Sequence, residues 1–305
     1  MANLIPAMLA FLLSPLMLGV INRTKAVVAG RRGAPLFQAY FDLFKLLRKG
    51  AVFSNTTSWV FRAGPVVSLA AMAVATLLVP LGSSSSAIHF AGDLVMLAYL
   101  FGVARFFTVV AALDTGSAFE GMGASREVFY SALAEPALLL GLAAVAKEAI
   151  GHSILIELTE MHRHVSAELW SSAGLILLFV SITLFVVLLA ECSRIPVDDP
   201  NTHLELTMIH EVMVLDHSGP DLAMILYGAG LKLWLIAALI VGMVIPATSY
   251  AVVDAAIALA AMFVLAILVG LVESTMARLR LVRVPQLLVG ATTLAVLALV
   301  LEYRG

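Results

Sequence analysis

Glu191-Cys-Ser-Arg-Ile-Pro-Val-Asp-Asp-Pro-Asn-Thr-His-Leu-Glu-Leu-Thr-Met-Ile-His-Glu211 is the stretch on which the fold turns. Between Ala190 and Asp221, seven carboxylates (Glu191, Asp198, Asp199, Glu205, Glu211, Asp216, Asp221) stand against a single cation, Arg194. Apolar runs flank it at 169–190 and 222–244, each about the 20 residues that a helix needs to cross a bilayer. Carboxylates next to hydrocarbon are costly and are rarely kept there without a use. Such a cluster can carry protons, pair with a basic partner surface, or polarise a bound polar ligand.

Outward from this segment the same apolar pattern repeats. Candidate spans fall at 2–22, 63–82, 93–113, 128–147, 169–190, 222–244, 250–272 and 284–302. The composition agrees: 62% of residues are hydrophobic and 12% charged, about half the charge of a soluble domain. The expectation is an all-α polytopic membrane protein of about eight transmembrane helices, with residues 1–305 as one transmembrane domain. Lys and Arg alternate in the connections. Thirteen lie on one side (Arg23, Lys25, Arg31, Arg32, Lys45, Arg48, Lys49, Arg62, Arg126, Arg194, Arg278, Arg280, Arg283) against Lys147, Arg163 and Arg304 on the other. Basic loops stay inside. This predicts a cytoplasmic (inner) membrane protein with both termini outside and cytoplasmic loops at about 23–62, 114–127, 191–221 and 273–283. The first segment lacks a basic n-region and reads as a span, not a cleaved leader.

Residues 36–49 are too short to span and too amphipathic for a loop. They predict an interfacial helix with Asp42, Lys45 and Lys49 on its wet face. Asp199-Pro200, with Thr202 and Glu205 at capping-box spacing, predicts a cytoplasmic helix over about 200–216. There His203 and His210 share a face, either as a protonatable row or as a docking surface. A metal site would need both to converge with an acid, but ligands seven apart lie roughly 10 Å apart along the axis. The only cysteine, Cys192, excludes a disulfide and any iron–sulfur cluster or thiolate zinc site ligated by this chain alone.

Glu135 lies about two turns inside the fourth span and is followed by Pro136. A proline bends a helix and frees carbonyls for water, so an acid there suggests a hydrated relay position. Arg105 and Lys232, inside spans three and six, are its natural partners. Lys232 needs a carboxylate neighbour or a lowered pKa. Arg126 and Glu127 follow Gly-Met-Gly-Ala-Ser, read as a flexible loop with Ser125 capping span four; an interface snorkel and a helix-dipole acid are their plainer roles. Glu120 reads as solvated, and His162-Arg163-His164 as a surface feature. Gly30-Arg-Arg-Gly33 lacks the P-loop lysine and the Rossmann spacing. The first basic loop has little aromatic interleaving, which favours lipid headgroups or an acidic protein over nucleic acid.

Four stretches together carry a resemblance. They are Gly30-Arg31-Arg32-Gly33 through Gln38-Ala-Tyr-Phe-Asp-Leu-Phe-Lys-Leu-Leu47; Leu113-Asp-Thr-Gly-Ser117 through Gly123-Ala-Ser-Arg-Glu127 and Glu135-Pro136; Glu191 to Glu211; and Glu273-Ser-Thr-Met-Ala-Arg-Leu-Arg-Leu281. The chain resembles the respiratory NADH dehydrogenase subunit 1 family, in the branch found in membrane-bound group 4 NiFe hydrogenases of the formate hydrogenlyase type. The resemblance implies a membrane anchor and proton-coupling (or sodium-coupling) subunit of an oxidoreductase complex. It binds no cofactor itself, and the NiFe centre and iron–sulfur clusters lie in partner large and small subunits. It implies antiporter-like membrane subunits as further neighbours. By motif position, Glu127, Glu135, Glu191, Arg194, Asp198, Asp199, Glu205 and Glu211 carry the charge relay, joined by Lys232 from its depth. Arg31, Arg32, Asp42, Lys45, Arg126, His203 and His210 are the expected docking residues. The Val197-Asp-Asp-Pro run departs from the Pro-Phe-Asp-x-x-Glu pattern of quinone-reducing relatives, which argues against a working quinone site. A quinone-chamber subunit of a respiratory dehydrogenase, a stand-alone cation transporter and a pure anchor are the alternatives.

Overall fold

A computed structural model describes residues 3–150, 157–199, 208–246, 248 and 250–302. Its order is α1 (Ile5–Val28), α2 (Gln38–Leu47), α3 (Trp59–Ala75), α4 (Asp93–Asp114), α5 (Ala118–Ile150), α6 (Leu158–His164), α7 (Ala167–Glu191), a 3-10 turn (Glu211–Val214), α8 (Gly219–Val244), α9 (Ala251–Thr275) and α10 (Val284–Glu302). Seven of these helices are long and apolar enough to cross a membrane, and α3 is a shorter apolar helix. The protein is an all-α, multi-pass membrane protein. Seven of the eight expected spans correspond to α1, α4, α5, α7, α8, α9 and α10, and the span expected at 63–82 overlaps α3, which ends at Ala75.

At the centre is α8. Residues 233–241 are all at most 5% exposed, so this helix is apolar on every face because it is enclosed on every face. Small residues set the close approaches, as packing without a hydrophobic driving force requires. A Cβ at Gly270 of α9 would sit 2.8 Å from the Thr24 Cβ of α1. Pro15 of α1 cannot donate to the Phe11 carbonyl four residues back, and the Tyr227 hydroxyl of α8 donates to that oxygen instead, at 2.7 Å. Tyr40 of α2 donates to the neighbouring Leu12 carbonyl, which moors the amphipathic helix across α1. Phe37 just before it and its Phe41, Phe44 and Leu47 stay exposed, as an interfacial helix requires.

The helix ends meet in one layer. The Ser58 amide, at the start of α3, donates to Asp114 at the end of α4 (2.6 Å), and the Val52 amide donates to Ser218 before α8 (3.0 Å). Three local expectations are corrected. The segment expected as a flexible loop before Glu127 is the opening of α5, and Ser125 donates to the Met122 carbonyl instead of capping. From Met208 on, the expected helix over 200–216 is bent chain and a 3-10 turn; its earlier part lies outside the described residues. His162 is buried, not a surface feature: its ring lies against Gly242, where a Cβ would come within 1.7 Å of Nε2.

Candidate functional site

Four helices bring charged side chains to one place inside the bundle. Arg105 of α4 is the hub. Its Nη2 reaches both carboxylate oxygens of Glu191 at 2.7 Å, Nη1 holds Glu135, and Nε lies 3.6 Å from Glu127. Lys232 of α8 pairs with the same Glu191 at 2.6 Å. A planar guanidinium suits this position because it can fork toward several carboxylates at once. The side chains of Arg105 and Glu191 are 9% and 4% exposed, whereas that of Glu135 is 45% exposed. The network therefore runs from the closed interior to an open flank of the bundle.

Beside it is a cavity of about 80 Å³, with Arg105, Glu127, Glu191, His210 and Lys232 in its walls. A water needs roughly 10–15 Å³ of such space, so there is room for several. Pockets for ring-bearing ligands start at about 300 Å³. Among the described residues this space is smaller than such a pocket.

The residues after α7 form a second layer of ion pairs. Ser193 takes the left-handed backbone region at φ 51°, which is strained for a side-chain-bearing residue. The chain turns back so that the Arg194 amide donates to the Leu189 carbonyl at 2.8 Å. Arg194 then pairs with Glu273 at 3.4 Å, and Glu273 with Lys25 at 2.7 Å. Asp198, 1% exposed, pairs with Arg278 at 2.9 Å and accepts the amides of Ile209 (3.2 Å) and His210 (3.0 Å).

Of the expected relay residues, Glu127, Glu135, Glu191 and Lys232 are thus brought together. Arg194 and Asp198 belong to the adjoining layer, with Asp199 donating its amide to Asp198 Oδ1 (2.9 Å). Glu211 opens the 3-10 turn, while Glu205 and His203 lie outside the described residues. Lys232 does not pair with Glu135: its partner is Glu191, and Arg105 stands between the two acids. Among docking residues, Arg31, Arg32, Asp42 and Lys45 are exposed. Arg126 instead points inward, donating to the Met208 carbonyl at 2.9 Å, and His210 lines the cavity. Glu120 is 1% exposed and accepts the Asp216 amide at 3.1 Å, so it is not a solvated acid.

Sequence reasoning left Lys25 and Glu273 out of the site. The signal was an acid at the end of a long apolar run, opening the Glu273–Leu281 motif, but its cation lies far away in the chain. His217 was missed too. It is 5% exposed and stacks on Phe61 with ring centroids 3.9 Å apart. Burial lowers its pKa from 6.5 to about 4. Among the described residues, no group of three His, Cys, Asp or Glu side chains could hold a metal ion.

A multi-pass helical protein with an ion network buried between its helices and a second layer of ion pairs beside it defines a class of membrane subunit. The NADH dehydrogenase family model matches residues 2–303, and the chain belongs to the NADH dehydrogenase subunit 1 family. It is 32% identical to formate hydrogenlyase subunit 4 of Escherichia coli K12 over 291 residues, covering 93% of this chain and 92% of that one. It is 31% identical to hydrogenase-4 component C of the same organism over 309 residues, covering 98% and 94%. Its fold matches a chain of the membrane-bound sulfane sulfur reductase, an archaeal respiratory membrane complex, with a TM-score of 0.82 at 20% identity, covering 97% of this chain and 96% of that one.

Proposed function

We propose that this chain is the membrane anchor and proton-coupling subunit of an energy-converting, hydrogenase-type complex in a prokaryotic cytoplasmic membrane. Both termini lie outside, and the layer of helix ends around Glu191 faces the cytoplasm. A peripheral arm with the NiFe and iron–sulfur centres docks on the exposed Arg31, Arg32, Asp42 and Lys45. The kinship with formate hydrogenlyase subunit 4 and hydrogenase-4 component C supports this assignment. Electron transfer takes place in the arm. This chain's part is to hold and pass a proton.

One observation carries the reading: Arg105 ties a buried carboxylate, Glu191, to one that opens on the flank, Glu135. A half-exposed acid at membrane depth is unfavourable against lipid, which supports coverage by a neighbouring membrane subunit of the antiporter-like kind. Rearrangement at the docked arm shifts the protonation of the 198–211 segment and the cavity beside His210. Glu191, held by Lys232 and Arg105, passes the charge change to Glu135 and sideways out of the bundle.

Glu135→Gln keeps the size of the side chain and removes its charge. The complex is expected to assemble and proton translocation to fall roughly tenfold or more, measured as acidification in inverted membrane vesicles during hydrogen evolution. Wild-type pumping in this variant removes Glu135 from the path.

A further inference from the structure

Among the described residues, two ion networks of opposite imbalance, buried except toward Glu135 and Lys25, share one short turn. On the cavity side, Glu127, Glu135 and Glu191 face Arg105 and Lys232, an excess of one carboxylate. Across Cys192 and Ser193, Lys25 and Arg194 face Glu273, an excess of one cation. The Glu273 side chain is 0% exposed and both of its oxygens are engaged, Oε2 by Lys25 and Oε1 by Arg194. The turn between the networks is held by the Arg194 amide on Leu189 and by the Leu279 amide on the Pro196 carbonyl (2.9 Å). Only Cys192 and Ser193 separate Glu191 from Arg194 along the chain, and charges in a poorly screened interior act on one another through space.

We infer that the Lys25–Glu273–Arg194 triad is the counterweight that sets the proton affinity of the cavity, with Glu273 as the positioning residue that fixes Arg194. The inference rests on the proton-coupling function proposed above. Glu273 is faced by Lys25 from α1 and by Arg194 from the turn after α7. The cavity is faced by Arg105 from α4, Glu127 from α5, Glu191 from α7, Cys192 from the turn after α7, Lys232 from α8 and His210 from the segment before the 3-10 turn. A neighbouring positive charge favours the ionised carboxylate and opposes its protonation.

Substitutions in the triad therefore act with opposite sign. Glu273→Gln leaves two uncompensated cations and makes the cavity harder to protonate. Lys25→Gln leaves the triad neutral and makes it easier. The test is a pH titration of the carboxyl infrared band in the intact purified complex, alongside the pH profile of coupled turnover, with Glu191→Gln identifying the band of the cavity. The midpoint is expected to move to lower pH in Glu273→Gln and to higher pH in Lys25→Gln, each by roughly one unit. Loss of a merely structural clamp lowers stability in both variants and moves neither midpoint in this opposed way. Midpoints that stay fixed, or move in the same direction, overturn the inference. Should Glu273→Gln fail to assemble, Lys25→Gln decides alone, since Lys25 is 23% exposed at a helix end: a raised midpoint supports the counterweight and an unmoved one overturns it. If Glu191→Gln itself pumps and titrates as wild type, the proton-coupling function fails, which is distinguishable from an unmoved midpoint in the triad variants.

Discussion

Arg105 serves three carboxylates from one side chain, and that sets what its replacement does. A lysine offers a compact point charge without the planar fork, so it can keep Glu191 or Glu135 but not both. Arg105→Lys is expected to assemble and to lose coupled proton transfer about as severely as Glu135→Gln. Arg105→Met removes the guanidinium from Glu127 and leaves Lys232 as the cation on the buried Glu191, a change of up to about 3–5 kcal/mol in stability, and is expected to lower the thermal midpoint of the solubilised complex. His217 gives a pH dependence of a different origin. Burial against Phe61 depresses its pKa from 6.5 to about 4. Between those values the unfolded chain binds a proton that the folded chain refuses, so stability falls as pH falls through this window and is fully present above about 6.5. The effect reaches about 3 kcal/mol across the whole interval. His217→Phe is expected to flatten the decline in thermal stability between about pH 7 and pH 5, read as the difference between wild type and variant.

The start of α5 illustrates what a helix pattern conceals. Gly121 and Gly123 read as breakers from the sequence, yet both are helical. The reason for one of them lies in a contact far along the chain. A Cβ at Gly123 would stand 2.3 Å from Val212 Cγ1 and 2.9 Å from the Ile209 carbonyl oxygen, whereas a Cβ at Gly121 meets nothing within 4 Å. In an exposed helix interior, Gly→Ala stabilises by up to about 1 kcal/mol. Gly121→Ala is therefore expected to be neutral or stabilising. Gly123→Ala is expected to destabilise despite its better propensity and, by displacing the segment that carries His210, to slow coupled turnover; thermal melts and turnover of the two variants check this. Spans, interfacial helix and the acidic segment were legible because hydropathy runs and proline positions are local signals. The same was true of the partners of Lys232 and Glu135 only in kind: a carboxylate and a cation were required, but which one depends on how α4, α5, α7 and α8 cross. His162 shows the same limit, since its burial is decided by Gly242 on another helix.

At the scale of the whole molecule, the polar and apolar parts of α8 divide the bundle. Lys232 belongs to the cavity and Gly242 lies about 15 Å further along the axis at 1.5 Å per residue, with residues 233–241 between them apolar and enclosed. On the proposed function, a proton on the cavity has a polar exit toward Glu135 on the flank, and a dry segment of α8 in the direction of the opposite face. Moving a charge through that segment carries a desolvation cost of several kcal/mol, which no side chain in it offsets. The folded chain alone, reconstituted in liposomes with a trapped pH dye and a potassium ionophore to dissipate potential, is expected to pass protons no faster than protein-free vesicles. Sodium flux under the same gradient should also stay at that background. Circular dichroism of the same proteoliposomes confirms the helical fold. Flux well above background from the lone folded chain would mean that it carries ions from face to face by itself, making it a transporter instead of a subunit that hands its proton sideways.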